Sequence, residues 1–195
     1  MNYLAHAFFS FHDENLLVGN LITDMLTLQE TRDLNDVYQR GVILHRHIDQ
    51  VTDEHPVYKA SLKKMYPSQG KYAPVVLDIY YDYFLSKNWT NFTDADLVDF
   101  SSSTYRTLQA HIPLIPTRIE PALNRMVEHD FLNSCFDFYR LEQTFYRLQR
   151  RATFESSMHL AVRDLEDMEA ELETLFLDFF PDAIKNISRH LGVQC

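Results

Sequence analysis

The sequence predicts an all-α protein folded as a single-domain helical bundle. Glycine is scarce, 4 among 195 residues, which argues against a many-turned β sandwich or barrel. Prolines and helix-capping residues cut the chain into helical lengths. No internal repeat, low-complexity tract or linker divides it, and its length suits one domain with a sizeable core.

The expected helices follow in order. A short one covers about Tyr3 to Phe9, and another about Glu14 to Leu28. A longer one covers about Leu34 to Asp53. His55-Pro56 breaks it, because proline disfavours helical geometry in the residue before it. Helical sequence resumes to Met65 and ends in the turn Pro67-Ser68-Gln69-Gly70. The next helix runs from about Pro74 to Trp89, with proline in its first turn, where a missing N–H costs nothing. Thr93 is expected to cap the helix that reaches His111, with Asp96 three residues on. Pro113 and Pro116 form a connector. Helices recur from Thr117, punctuated near Asp130 and Thr153, and Gly192 is the last stop signal.

Hydrophobic residues make up 46% of the chain and charged residues 24%, the balance of a soluble globular protein. The net charge of −10 disfavours a nucleic-acid binder, which carries a basic footprint. Cys135 and Cys195 give no disulfide framework, in keeping with a reducing cytoplasm. The start lacks a basic n-region and a small-residue cleavage site, so neither a signal peptide nor a membrane span is expected. Charge is polarised. Residues 155–182 hold nine acidic residues against the single Arg163. Residues 140–151 hold Arg140, Arg147, Arg150 and Arg151 against Glu142. Two solvated helix faces are the plain reading.

The densest chemistry lies at His45-Arg46-His47-Ile48-Asp49. On a helix His45 and Asp49 are i and i+4 and share a face, where a neutral imidazole and a carboxylate can hold one divalent metal. His47 points roughly the opposite way. A surface helix with ion pairs is the plain alternative. Asp78 and Asp82 form a second i, i+4 pair inside a run too apolar and aromatic to be a solvated helix. Buried carboxylates need partners, and a metal, tyrosines or an arginine would serve. His6 and Asp24 sit in apolar surroundings on further helices. There is no Gly-rich phosphate loop, no G-x-S-x-G elbow and no C-x-x-C pair, and Cys135 sits on an apolar helix face as a core residue.

Met1-Asn2-Tyr3-Leu4-Ala5-His6, Gly19-Asn20-Leu21 with Asp24, and His45-Arg46 with Ile48-Asp49 and Thr52-Asp53 resemble the acyl carrier protein phosphodiesterases. So do Leu77-Asp78 through Asp82, Phe84-Leu85-Ser86 and Trp89. Tyr139-Arg140, Arg150-Arg151 and Phe179-Phe180-Pro181 are similar more loosely. The resemblance implies an HD-domain-like fold, that of a divergent HD-type metal-dependent phosphohydrolase. It implies hydrolysis of the phosphodiester joining 4′-phosphopantetheine to holo-acyl carrier protein (holo-ACP), giving apo-ACP. It also implies a divalent cation, Mn2+ or Mg2+. The residues that carry the resemblance hold no adjacent His-Asp pair of the HD type, so ligands are not copied across position by position. His47 stands where the family often has a second basic residue.

On this reading Asp24, His45, Asp49 and Asp78 are the expected metal ligands. His6 and Asp82 complete the shell or act as base or orienting groups, and Arg46 clamps the phosphate. Arg140, Arg147, Arg150 and Arg151 form the expected patch for an acidic carrier. Two rivals share the same residues: an HD-like phosphohydrolase of a nucleotide or other small phosphoester, and a helical carrier-binding protein without turnover.

Overall fold

The computed structural model describes residues 1–11 and 13–193; Cys195 lies outside the described residues. Ten α-helices and several 3-10 turns account for the regular structure among them, with no strand, as the scarcity of glycine predicts. The helices are α1 (Tyr3–Phe8), α2 (Glu14–Ile22), α3 (Leu28–Asp33), α4 (Asp36–Glu54) and α5 (Pro56–Gln69). They continue with α6 (Ala73–Lys87), α7 (Leu97–His111), α8 (Glu120–Glu128), α9 (Phe138–Gln149) and α10 (Ala161–Leu191). No described helix is long and apolar enough to cross a membrane.

Side chains set most of the boundaries. Asp13 accepts the N–H groups of Asn15 and Leu16 to start α2, and Asn35 accepts Val37 N–H to start α4. His55 caps α5, with Pro56 in its first turn. Three boundaries differ from the sequence expectation. The expected helix 14–28 stops at Ile22, because Thr23 turns its hydroxyl back onto Gly19 O and a 3-10 turn follows. Thr27 and Glu30 then form a capping box that starts α3 as a separate helix. α5 runs through Pro67 to Gln69 instead of ending at Met65; Pro67 lies on its exposed face. Asp96, not Thr93, caps α7, taking Val98 and Asp99 N–H.

The heavy aromatic share fills the core. Phe176, Phe179 and Phe180 of α10 are fully buried, with Phe9, Tyr58, Tyr81 and Phe84 from three other segments beside them. The acidic face of α10 is answered by lysines. Lys64 reaches Glu171 at 2.6 Å, and Lys87 reaches Glu169 and Glu173 at 2.8 and 2.7 Å.

The site depends on the crossing of α2 and α4, where Gly19 and Gly41 face each other. A Cβ on Gly41 would stand 2.5 Å from Leu16 O and 2.7 Å from Asn20 N, closer than van der Waals contact allows. Gly41→Ala would ordinarily favour a helix by nearly 1 kcal/mol. Here it should instead cost about 1–3 kcal/mol by overpacking. A thermal melt should show a fall of roughly 2–12 °C in a chain of this size. An unchanged or raised melting temperature would contradict the close approach.

Candidate metal centre

Four segments meet at one point. α1 carries His6, α2 carries Asn20, the turn Thr23–Met25 carries Asp24, and α4 carries His45 and Asp49. The two imidazoles stack with centroids 4.2 Å apart and planes 16° from parallel. Asp49 spans both. Its Oδ1 lies 3.3 Å from His6 Nε2 and its Oδ2 lies 3.2 Å from His45 Nε2. Asp24 Oδ1 stands 3.1 Å from His45 Nε2. His6, His45 and Asp49 offer donor atoms that all lie within 4.8 Å of one another.

The second nitrogen of each ring is already committed. His6 Nδ1 is 2.8 Å from Asn20 Oδ1 and His45 Nδ1 is 2.9 Å from Asn20 O. Carbonyl oxygens only accept, so each Nδ1 carries the hydrogen. Burial lowers the His6 pKa, although Asp49 opposes this, and so favours the neutral ring. A neutral ring with Nδ1–H presents a bare lone pair at Nε2. That lone pair faces a carboxylate oxygen across 3.3 Å with no proton between them. A cation between the two atoms would satisfy such a contact. An ion about 2.1 Å from each donor sets neighbouring donors roughly 3 Å apart, so these residues fit a divalent metal.

His45 behaves differently. Burial would lower its pKa, but hydrogen bonds to Asp24 and Asp49 outweigh that and push it up to about 9. Burial likewise works against the charge of Asp49, yet the hydrogen bond from His45 at its Oδ2 holds its carboxyl well below the usual range. The Asp24 carboxyl is lowered by its bond to His45.

The other expected site residues divide. Asp78 takes a hydrogen bond from Tyr58 at 2.7 Å and lies 3.3 Å from the α-amino group of Met1, which also stands 4.0 Å from Asp49. Asp78 is therefore linked to the cluster through that amine rather than being in it. Asp82 sits elsewhere: its two oxygens accept Leu4 and Ala5 N–H at 2.9 and 3.2 Å. It supplies the cap that Asn2 does not make, and so holds α1, and with it His6, in place. Burial pushes its carboxyl up to about 7 against those two bonds.

Arg46 is exposed, one residue round the helix from His45. Arg147 and Arg151 line a pocket of about 250 Å³ together with Asp24, Asp78, Phe131 and Leu148. Met1, Asn2, Tyr3 and Asp24 are shared between it and a smaller cavity that reaches His6 and His45. Arg140 pairs with Asp130 at 3.1 Å and Asp137 at 4.0 Å, and Arg150 lies over the Tyr146 ring. Among the described residues no carboxylate forms a salt bridge with Arg147, Arg150 or Arg151. His47 faces away, as its spacing predicts, and stacks on His190 at 3.9 Å.

Residues 1–183, nearly the whole chain, match the acyl carrier protein phosphodiesterase family. The chain belongs to this family. Among its relatives named acyl carrier protein phosphodiesterase, one from Yersinia enterocolitica serotype O:8 is 29% identical, covering 93% of this chain and 94% of its own. Another from Serratia proteamaculans is 25% identical over 95% of this chain and 96% of its own. One from Escherichia coli O157:H7 is 26% identical over 97% and 98%. No solved structure matches.

Two residues at the centre of this phosphodiesterase family member receive no role from motif reasoning, although Asn20 carries part of the resemblance. Asn20 is wholly buried within an apolar stretch, a polar side chain that needs partners, and that was its signal. Tyr58, the partner of Asp78, lies 20 residues from it in sequence and gives no local sign. Adjacent His-Asp pairs do occur in the sequence, as His12-Asp13 and His129-Asp130, but neither Asp13 nor the second pair joins the cluster. Asp13 caps α2, and Asp130 binds Tyr105 and Arg140.

Proposed function

We propose that the chain is a hydrolase that removes the 4′-phosphopantetheine arm from holo-ACP at a divalent-metal site, with Mn2+ or Mg2+ held by His6, His45, Asp49 and Asp24. One observation supports this above the others. A cluster of His6, His45 and Asp49, whose donor atoms fit one cation, opens onto a pocket with arginine heads and an apolar wall. Relatives across the chain's full length carry the name acyl carrier protein phosphodiesterase.

The reaction breaks the bond between phosphorus and the carrier's serine oxygen, and water supplies OH to phosphorus and H to the serine. A bound divalent cation supplies charge neutralisation, a more acidic water and stabilisation of the leaving alkoxide. The protein does the rest. Arg147 and Arg151 neutralise the phosphate oxygens, as guanidinium geometry suits. Phe131, Leu148, Val75 and Ile79 receive the arm. Asp24, exposed at the mouth shared by both cavities, would hold the cation through one carboxylate oxygen and take a proton from water with the other. The carrier's acidic surface lies against the exposed Arg147, Arg150 and Arg151, with Arg140 at the edge.

Turnover of holo-ACP should exceed that of a nucleotide or a small phosphodiester, and a chelator should abolish it. Equal turnover of a nucleotide would favour the small-phosphoester reading. Tight carrier binding without product would favour the binding-protein reading.

The cluster also sets a pH dependence. His45 titrates near 9 against an ordinary 6.5, so its folded pKa is raised. The stability this lends the metal-free protein is fully present below about 6.5 and is lost as pH rises through about 9. Metal loading must expel that proton, so Mn2+ affinity should climb towards tenfold per pH unit across the same window. Thermal melts with and without Mn2+ would show a falling apo melting temperature and a growing metal increment. Parallel flat profiles would remove His45 from the site.

A further inference from the structure

Asn20 touches both imidazoles, by two different parts of itself. Its Nδ2 donates to His6 O at 2.7 Å and to Ser10 Oγ at 3.2 Å. Those contacts settle which end of the amide is oxygen, so Oδ1 is the atom facing His6 Nδ1. The main-chain carbonyl of the same residue meets His45 Nδ1. The α2–α4 approach at Gly19 and Gly41 brings that carbonyl within reach.

We propose that Asn20 is the positioning residue of the metal site. Its side chain holds His6 as the Nδ1–H tautomer, and its backbone carbonyl takes the Nδ1–H of His45 and fixes that ring's orientation, so that both Nε2 atoms face Asp49. Ser10, whose hydroxyl donates to His6 O at 3.0 Å, completes the frame on which Asn20 is held. The inference rests on the metal reading above for its purpose, but the tautomers do not depend on it. The division of labour is specific. Removing the side chain frees His6 alone, because the carbonyl that holds His45 remains. A carboxylate in the same place still accepts from His6 Nδ1 while losing the donor to His6 O and Ser10.

The test compares Asn20→Ala and Asn20→Asp with the wild-type chain. Long-range 1H–15N spectra of the metal-free proteins, with 15N-labelled histidine at pH 8, report the tautomers. Electron paramagnetic resonance of free Mn2+ reports affinity, and melts report stability. N20A should lose the Nδ1–H signature of His6, keep the His45 signals, and bind Mn2+ about 10–100-fold more weakly. N20D should melt lower than wild type yet keep the His6 tautomer and bind Mn2+ within about threefold of wild type. A purely structural Asn20 would make affinity track stability in both variants, and that result overturns the proposal. So does an unchanged His6 tautomer in N20A. Wild-type protein that takes up no Mn2+ would overturn the metal reading instead, and the spectra would still decide the role of Asn20.

Discussion

Replacing Asp49 with asparagine should lower kcat/KM for holo-ACP by at least about 10³-fold, since a metal contributes several kcal/mol of charge stabilisation and each 1.36 kcal/mol is tenfold. Asp49 is the residue that both Nε2 atoms share, so no other side chain can take its place. Mn2+ uptake should fall with activity. The fold should survive, because Asp49 is half-exposed and caps no helix. His45 should lose much of its upward shift, Asp49 being one of the two carboxylates that sustain it. Full Mn2+ binding with lost activity would make Asp49 a substrate contact, and retained activity would move the centre elsewhere.

Reversing Arg147 and Arg151 together to glutamate should raise KM for holo-ACP by about 10²-fold or more, through lost phosphate contacts and repulsion of an acidic carrier. These two arginines line the pocket beside Asp24 and Asp78 and have no described carboxylate partner to release. Mn2+ affinity should stay at the wild-type level, which separates this variant from Asp49→Asn. Wild-type KM should also rise with salt, as screening shortens to about 8 Å at physiological ionic strength. If the arginines served to hold helices together, the variant would melt early and both kcat and Mn2+ binding would fall with KM. The pairing of acidic α10 with Lys64 and Lys87 argues against that.

The helical architecture was legible in the sequence because proline, glycine and capping residues act locally. The errors came where a side chain made a choice the pattern does not show. Thr23 bonded back to Gly19 and ended α2 early, and Asp96 outcompeted Thr93 as a cap because its carboxylate reaches two N–H groups. In the site, His45 with Asp49 was readable from helical spacing alone, and His6 joined it through the resemblance. Asp82 shows the limit. Its i, i+4 relation to Asp78 was correct, and the demand of a buried carboxylate for partners was correct. Those partners are the amides of α1, some 77 residues away in sequence. Arg46 shows the same limit in reverse: adjacency to His45 along a helix places it about 100° round the axis, away from the face that carries His45 and Asp49. The two-part grip of Asn20 depends on the α2–α4 crossing, which no local pattern encodes.

Intact mass of the carrier tests the central claim most directly. Holo-ACP incubated with the Mn2+-loaded protein should become lighter by the whole 4′-phosphopantetheinyl group, leaving an unmodified serine, and the released arm should keep its phosphate. With water enriched in 18O, the label should appear in that phosphate and not in the carrier. A carrier of unchanged mass, or one that keeps the phosphate after losing pantetheine, would contradict the account.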